Sequence, residues 1–137
     1  MANKPILVTA AIIRKNGKIL IAQRKNSSKL EPGKWEFPGG KVKFLEHPED
    51  CLVREIKEEL GINISVGSIF TISSHIYKKG NKKHHILLLA FLAGYVSGKL
   101  KNIGCQDSRW VSRTELKNFE FAEADIAVVK KLLGSLK

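Results

Sequence analysis

Apolar positions along the chain recur in two rhythms, and the breaks between them predict the elements. From Pro5 to Ile13 the side chains are almost uninterruptedly apolar, and a second such run follows Asn16-Gly17. Asn-Gly between two apolar runs marks a hairpin turn, which predicts strands over about 5–14 and about 18–25. A polar loop runs from about 26 to about 34, and Trp35-Glu36-Phe37 then reads as a short strand broken by Pro38-Gly39-Gly40. Further strands are predicted near 63–76 and 85–96, and a short one at Arg109-Trp110-Val111.

Between these runs the rhythm changes to a helical one. Leu52, Ile56 and Leu60 recur four apart, with Val53 widening the stripe. Pro48 suits a first turn, Glu49 and Asp50 suit the positive end of the dipole, and Gly61 suits a C-terminal cap. A helix is therefore predicted over about 48–60. A last helix is predicted from Ala124 to Leu133, with Ile126, Val129 and Leu133 on one face. The simplest architecture is α/β (α+β), a mixed sheet with a helix on each side. A chain of 137 residues with no repeat and no linker reads as one domain, 1–137.

Charge narrows the partners without choosing one. The formal balance of +11 favours polyanions, whether nucleotide, nucleic acid or an acidic membrane surface. No apolar run is long enough to span a bilayer, and Arg14 interrupts the stretch that would resemble a signal peptide. Cys51 and Cys105 suggest a reducing compartment, hence a cytoplasmic protein without a disulfide framework. The densest basic cluster, Lys78-Lys79-Gly80-Asn81-Lys82-Lys83-His84-His85, reads as a solvated hairpin loop. Apart from Tyr77 it lacks the interleaved aromatics of a single-strand binding platform. His75, His84 and His85 lack metal-ligand spacing.

The chemistry concentrates on the first helix. Glu55, Glu58 and Glu59 lie at i, i+3 and i+4 and share a face, where they would repel one another if that face were empty. Arg54 and Lys57 can screen them as part of a solvated acidic face. Equally, a carboxylate patch beside a glycine turn can hold hard divalent cations against a phosphate chain.

The segment Gly40–Ile62 fits the pattern G-x5-E-x7-R-E-U-x-E-E-x-G-U, with U aliphatic, at every specified position. On these residues the chain resembles the Nudix hydrolases. The hairpin A-A-I-I-R-K-N-G-K-I-L-I-A-Q-R, the W-E-F-P-G-G-K at Trp35–Lys41 and the A-E-A-D-I at Ala122–Ile126 are similar to the MutT-like nucleoside triphosphate pyrophosphohydrolases. The resemblance implies an α/β/α sandwich and Mg2+-dependent hydrolysis, with Mn2+ as a substitute ion. It implies that Glu55, Glu58 and Glu59 bind metal with the Gly39–Gly40 backbone carbonyl, and that Arg54 and Glu46 hold this cluster in place. Lys41 would face the phosphates and Arg24 would lie near the nucleotide, although both also read as surface charges at strand ends. Phe37 would touch the base or serve the core.

Asp125 would read the base or cap the last helix. Its A-E-A-D-I context resembles enzymes acting on cytidine triphosphates more than Asn-bearing ones acting on 8-oxoguanine nucleotides. An ionised aspartate, offering acceptors only, suits the exocyclic amine of cytosine. Many MutT-like enzymes carry a further glutamate six residues before a tryptophan like Trp110. Here that position is Gly104, and Asp107 is the candidate replacement carboxylate. Glu55 is then the first choice for the catalytic base.

The expected reaction is cleavage of a nucleoside triphosphate, CTP-like or an oxidised or otherwise modified deoxynucleotide, to monophosphate and pyrophosphate. Alternatives are removal of pyrophosphate from RNA 5′ ends, hydrolysis of nucleotide sugars, or a non-catalytic nucleotide-binding module. The expected assembly is a monomer or homodimer.

Overall fold

Burial runs unbroken through the middle of the first strand, which requires cover on both of its faces. In the computed structural model, which describes residues 3–134, β1 (Ile6–Lys15) buries Thr9 to Ile13 without interruption. Ala10 and Ile12 enter one apolar cluster, whereas Ala11 and Ile13 enter another. A strand wrapped on both sides is the centre of a layered fold.

β2 (Lys18–Gln23) returns antiparallel from β1 through Asn16 and Gly17, whose φ values of 52° and 75° give the left-handed turn that Asn-Gly favours. β3 (Trp35–Glu36) pairs with β2, and β4 (Gly39–Lys41) pairs with β1. α1 (Pro48–Leu60) follows, and then the long strands β5 (Asn63–Lys79) and β6 (Lys82–Ser97) form an antiparallel hairpin. β6 runs parallel to β1 from Ile6↔Ile86 to Arg14↔Gly94. β7 (Asp107–Val111) adds to β2, a 3-10 turn covers Thr114–Asn118, and α2 (Glu123–Gly134) closes the described chain. The strand order is β3-β2-β1-β6-β5, with β4 and β7 attached to β1 and β2.

Leu52, Ile56 and Leu60 of α1 pack on one face of this mixed sheet, and Val128 and Leu132 of α2 pack on the other. No helix among the described residues is long and apolar enough to cross a membrane.

Two segments depart from the sequence reading. The Pro38-Gly39-Gly40 break carries a strand, because glycine alone permits it: a Cβ on Gly39 would lie 2.0 Å from the Thr9 carbonyl oxygen. The basic stretch at 78–85 is mostly ladder, with Lys78↔Lys83 and Lys79↔Lys82 paired across a turn at Gly80 and Asn81. Cross-strand hydrogen bonding outweighs the low strand propensity of lysine there.

Candidate functional site

α1 positions its acids through a clamp at its own base. Arg54 donates Nε and an Nη to the two Glu46 carboxylate oxygens at 2.7 and 2.9 Å. Its other Nη reaches Glu55 at 3.0 Å and Glu58 at 2.8 Å. The Lys43 N–H also donates to Glu46. The hydrogen bonds from Arg54, followed by the one from Lys43, lower the Glu46 carboxyl to about 2. A single guanidinium thus ties the loop before the helix to two helical acids one turn apart, a fork geometry that an ammonium does not offer.

Above the clamp lies a cleft of about 980 Å³. One part of its wall is made by Gly40, Lys41, Glu55 and Glu59. A Cβ on Gly40 would sit 2.2 Å from Glu55 Oε2, so the carboxylate lies directly on the backbone of β4. The Gly40 carbonyl accepts from Thr9 Oγ1 at 3.1 Å. Burial, then the charge of Glu55, then that of Glu36, raise the Glu59 carboxyl to about 8. Two acids are thus crowded together where the desolvated one prefers its proton. Glu58 is not in the cleft wall; it stands half exposed against Arg54. Among the described residues no three acidic, His or Cys side chains converge into a ready-made cation cage.

Another part of the wall is built where α2 meets β3. Asp125 is 5% exposed, and its Oδ1 accepts the Phe37 N–H at 3.0 Å. Phe37 stacks on Phe121 with centroids 5.4 Å apart, and both Phe37 and Asp125 line the cleft. The aspartate is therefore held by the β3–β4 connection and is not a helix cap. Burial, then the nearby Glu36, push its carboxyl well above the ordinary aspartate value. Burial thus favours the neutral acid, which can donate as well as accept, over the acceptor-only carboxylate.

Arg24 lines the same cleft and is tethered at both ends, donating to the Leu30 carbonyl at 3.0 Å and to Glu36 at 2.9 Å. Glu36 did not emerge from the sequence reading. Its charge bears on both Glu59 and Asp125, and burial raises its own carboxyl. The signal was available, since alternation across the buried Trp35 and Phe37 places Glu36 on the opposite face. Tyr77 was missed as well; its hydroxyl accepts the Ala124 N–H at 3.1 Å and fixes the start of α2.

The structure does not bring Asp107 to the cleft wall. Its oxygens accept from the Ser108 N–H at 2.8 Å and from Arg109 at 3.2 Å. Gly104 has a different function. Its N–H and that of Ile103 donate to the Glu59 carbonyl near the C-terminal end of α1. A Cβ there would lie 2.8 Å from Glu59 Cγ, so the close approach of the loop requires glycine.

With this geometry in place, comparison with known proteins is informative. The family model described as the NUDIX domain matches residues 4–132. The chain is 38% identical over 131 residues to a CTP pyrophosphohydrolase of Escherichia coli strain K12, covering 96% of this chain and 93% of that protein. It is 32% identical over 130 residues to an 8-oxo-dGTP diphosphatase of the same strain, covering 94% and 97%. Among solved structures, the MutT protein from Methanosarcina mazei Go1 superposes with a TM-score of 0.81 at 28% identity, covering 100% of this chain and 99% of that one.

Proposed function

The chain belongs to the NUDIX family, and from that premise we propose that it hydrolyses a nucleoside 5′-triphosphate to the monophosphate and pyrophosphate. The observation that carries this reading is one cleft with two chemistries. Paired carboxylates beside a backbone carbonyl lie in one part of the wall, and a buried aspartate beside a phenylalanine lies in another. Relatives named for CTP and for 8-oxo-dGTP support a nucleotide as occupant.

Nudix hydrolases generally use Mg2+, and the oxygen donors here fit that ion. Mg2+ typically takes one or two carboxylates plus substrate phosphates and does not need an all-protein cage. The crowding that raises the Glu59 carboxyl would be relieved by a cation sharing the space with Glu55. Glu55, Glu59 and the Gly40 carbonyl would hold Mg2+ or Mn2+, with Glu58 as the third carboxylate of the same helix. Such an ion would supply a lowered pKa for the attacking water and neutralisation of phosphate charge. Glu55 would accept a proton from the attacking water, and Lys41 would meet the negative charge that develops on the phosphates. Arg54 and Glu46 orient Glu55 and Glu58. Arg24, Phe37 and Asp125 enclose the nucleoside. Asp125, beside Phe37, is the group that meets the base edge.

A panel of CTP, the other nucleoside triphosphates and oxidised and methylated deoxynucleotides, assayed with Mg2+ for product identity, tests this reading. Monophosphate and pyrophosphate are the expected products. Release of orthophosphate, or no turnover of any triphosphate, would overturn it. Glu55→Gln and Glu59→Gln are each expected to lower turnover by roughly 10²-fold, about 3 kcal/mol of transition-state stabilisation, in folded protein.

A further inference from the structure

α2 begins without a cap of its own. Ala122 precedes the helix and offers no side-chain oxygen, so the first amide groups need acceptors from elsewhere. The Glu123 N–H is taken by Glu31, 92 residues away in sequence, with its two carboxylate oxygens at 3.2 and 3.0 Å. The Ala124 N–H is taken by the Tyr77 hydroxyl at 3.1 Å, beside the same carboxylate. The next residue is Asp125, whose Oδ1 accepts the Phe37 N–H.

Glu31 is held in a conformation that its residue type rarely adopts. Its φ is 49°, in the left-handed region that disfavours a side chain, and its side chain is only 12% exposed. Such a backbone persists where the surrounding contacts over-determine it, and residues of this kind concentrate at ligand-binding sites. The loop that carries Glu31 is tied at three further points. Arg24 donates to the Leu30 carbonyl at 3.0 Å and Gln23 to the Gly33 carbonyl at 3.0 Å. Lys79, on the basic arm of the β5–β6 hairpin, donates to the Lys29 carbonyl at 2.8 Å. Ser28, Lys29, Leu30 and Glu31 all line the cleft.

Resting on the nucleotide-hydrolase reading, we infer that Glu31 is a positioning residue for base recognition: from the β2–β3 loop it locks the first turn of α2, so that Asp125 presents a fixed edge to the base. The Glu31 oxygens are engaged by the helix and by Lys34, 3.5 Å away, so the residue acts through Asp125 and not on the substrate. The carboxylates of the reaction stand on α1, in another part of the cleft wall. Cutting the latch therefore alters KM and base choice and spares kcat.

The experiment measures kcat and KM for CTP, UTP, ATP and GTP in the native protein and in Glu31→Ala, Glu31→Gln, Glu31→Asp and Glu120→Gln. Calorimetry with the corresponding monophosphates in Mg2+ runs alongside. Glu31→Ala is expected to raise KM for the preferred base by about tenfold and to narrow the spread between best and poorest base by a similar factor, with kcat within about twofold. Gln keeps an acceptor oxygen for the Glu123 N–H and is expected to restore most of the ranking. Asp withdraws the carboxylate by one methylene and is expected to shift the ranking as Ala does, which keeps the test open if the Ala variant does not fold. Glu120, whose exposed carboxylate lies 4.0 Å from Lys34, is the charge control, and its variant should match the native protein. Amide exchange at Glu123 and Ala124 should quicken in Glu31→Ala while α1 keeps its protection. An unchanged KM and ranking, or kcat and KM worsening together with a lowered Tm and the ranking preserved, would overturn the inference. Failure of the native protein to cleave any triphosphate would reject the hydrolase reading, while the monophosphate titration would still decide Glu31. A native protein that binds the monophosphates equally, or not at all, would overturn its role.

Discussion

Gly40 lets the Glu55 carboxylate lie against the backbone of β4. A methyl group at this position would meet Glu55 Oε2 at 2.2 Å and its carboxyl carbon at 2.3 Å, both at the movable end of a side chain. Gly40→Ala is therefore expected to fold with a near-native Tm while displacing Glu55, and turnover should drop by about tenfold or more. A variant that keeps full activity would show that Glu55 need not lie against this backbone.

Asp125 gives a second outcome at the same scale. Its folded-state carboxyl holds its proton more tightly than an aspartate in an unfolded chain. The folded state thus binds the extra proton, and stability falls as pH rises above the ordinary value of 3.8 until the buried acid ionises. Asn in its place keeps an acceptor for the Phe37 N–H and does not titrate. Glu36, whose carboxyl is also raised, remains in both proteins. Urea midpoints from about pH 4 to about pH 8 should therefore fall more steeply in the native protein than in Asp125→Asn. Parallel curves would remove the buried acid from the account. The sequence placed Asp125 at the start of a helix but carried no mark of its burial, which depends on the Phe37 N–H 88 residues away.

Among the elements, those whose ends are chemically punctuated were the most legible. α1 runs from Pro48 to Leu60, and Gly61 adopts φ 71° with its N–H on the Lys57 carbonyl at 3.1 Å. Proline in the first turn, glycine after the last and apolar residues four apart all agree, so local chemistry alone fixes this helix. Gly61→Ala is expected to cost about 1 kcal/mol, because a side chain there is strained in the left-handed conformation. Thermal melts would show it, and an unchanged Tm would mean that the cap rearranges. β4 was illegible for the converse reason: its residues have no strand propensity, and the strand exists because Thr9 and Ala10 accept a backbone that has no Cβ. The arm at 78–85 was misjudged because lysines in a ladder have the same composition as lysines in a loop.

For the whole molecule, local pattern foretold a mixed sheet between two helices but not the pairing that unites it. Ile6 meets Ile86 in parallel, and no turn residue or periodicity announces a contact across 80 positions. That pairing brings the basic arm to the same cleft as the acids of α1, so the net charge of +11 gains a location as well as a sign. A triphosphate approaching this cleft from solvent meets lysines on both faces of the arm, and unscreened attraction raises the encounter rate without altering the chemical step. Raising ionic strength from about 50 mM to about 500 mM shortens the Debye length severalfold. kcat/KM is expected to fall by about tenfold over that range while kcat changes little. Neutralising Lys78 and Lys83, which lie outside the cleft wall, should flatten the dependence. If kcat/KM is insensitive to salt, the positive field does not guide the substrate, and the charge excess serves some other end.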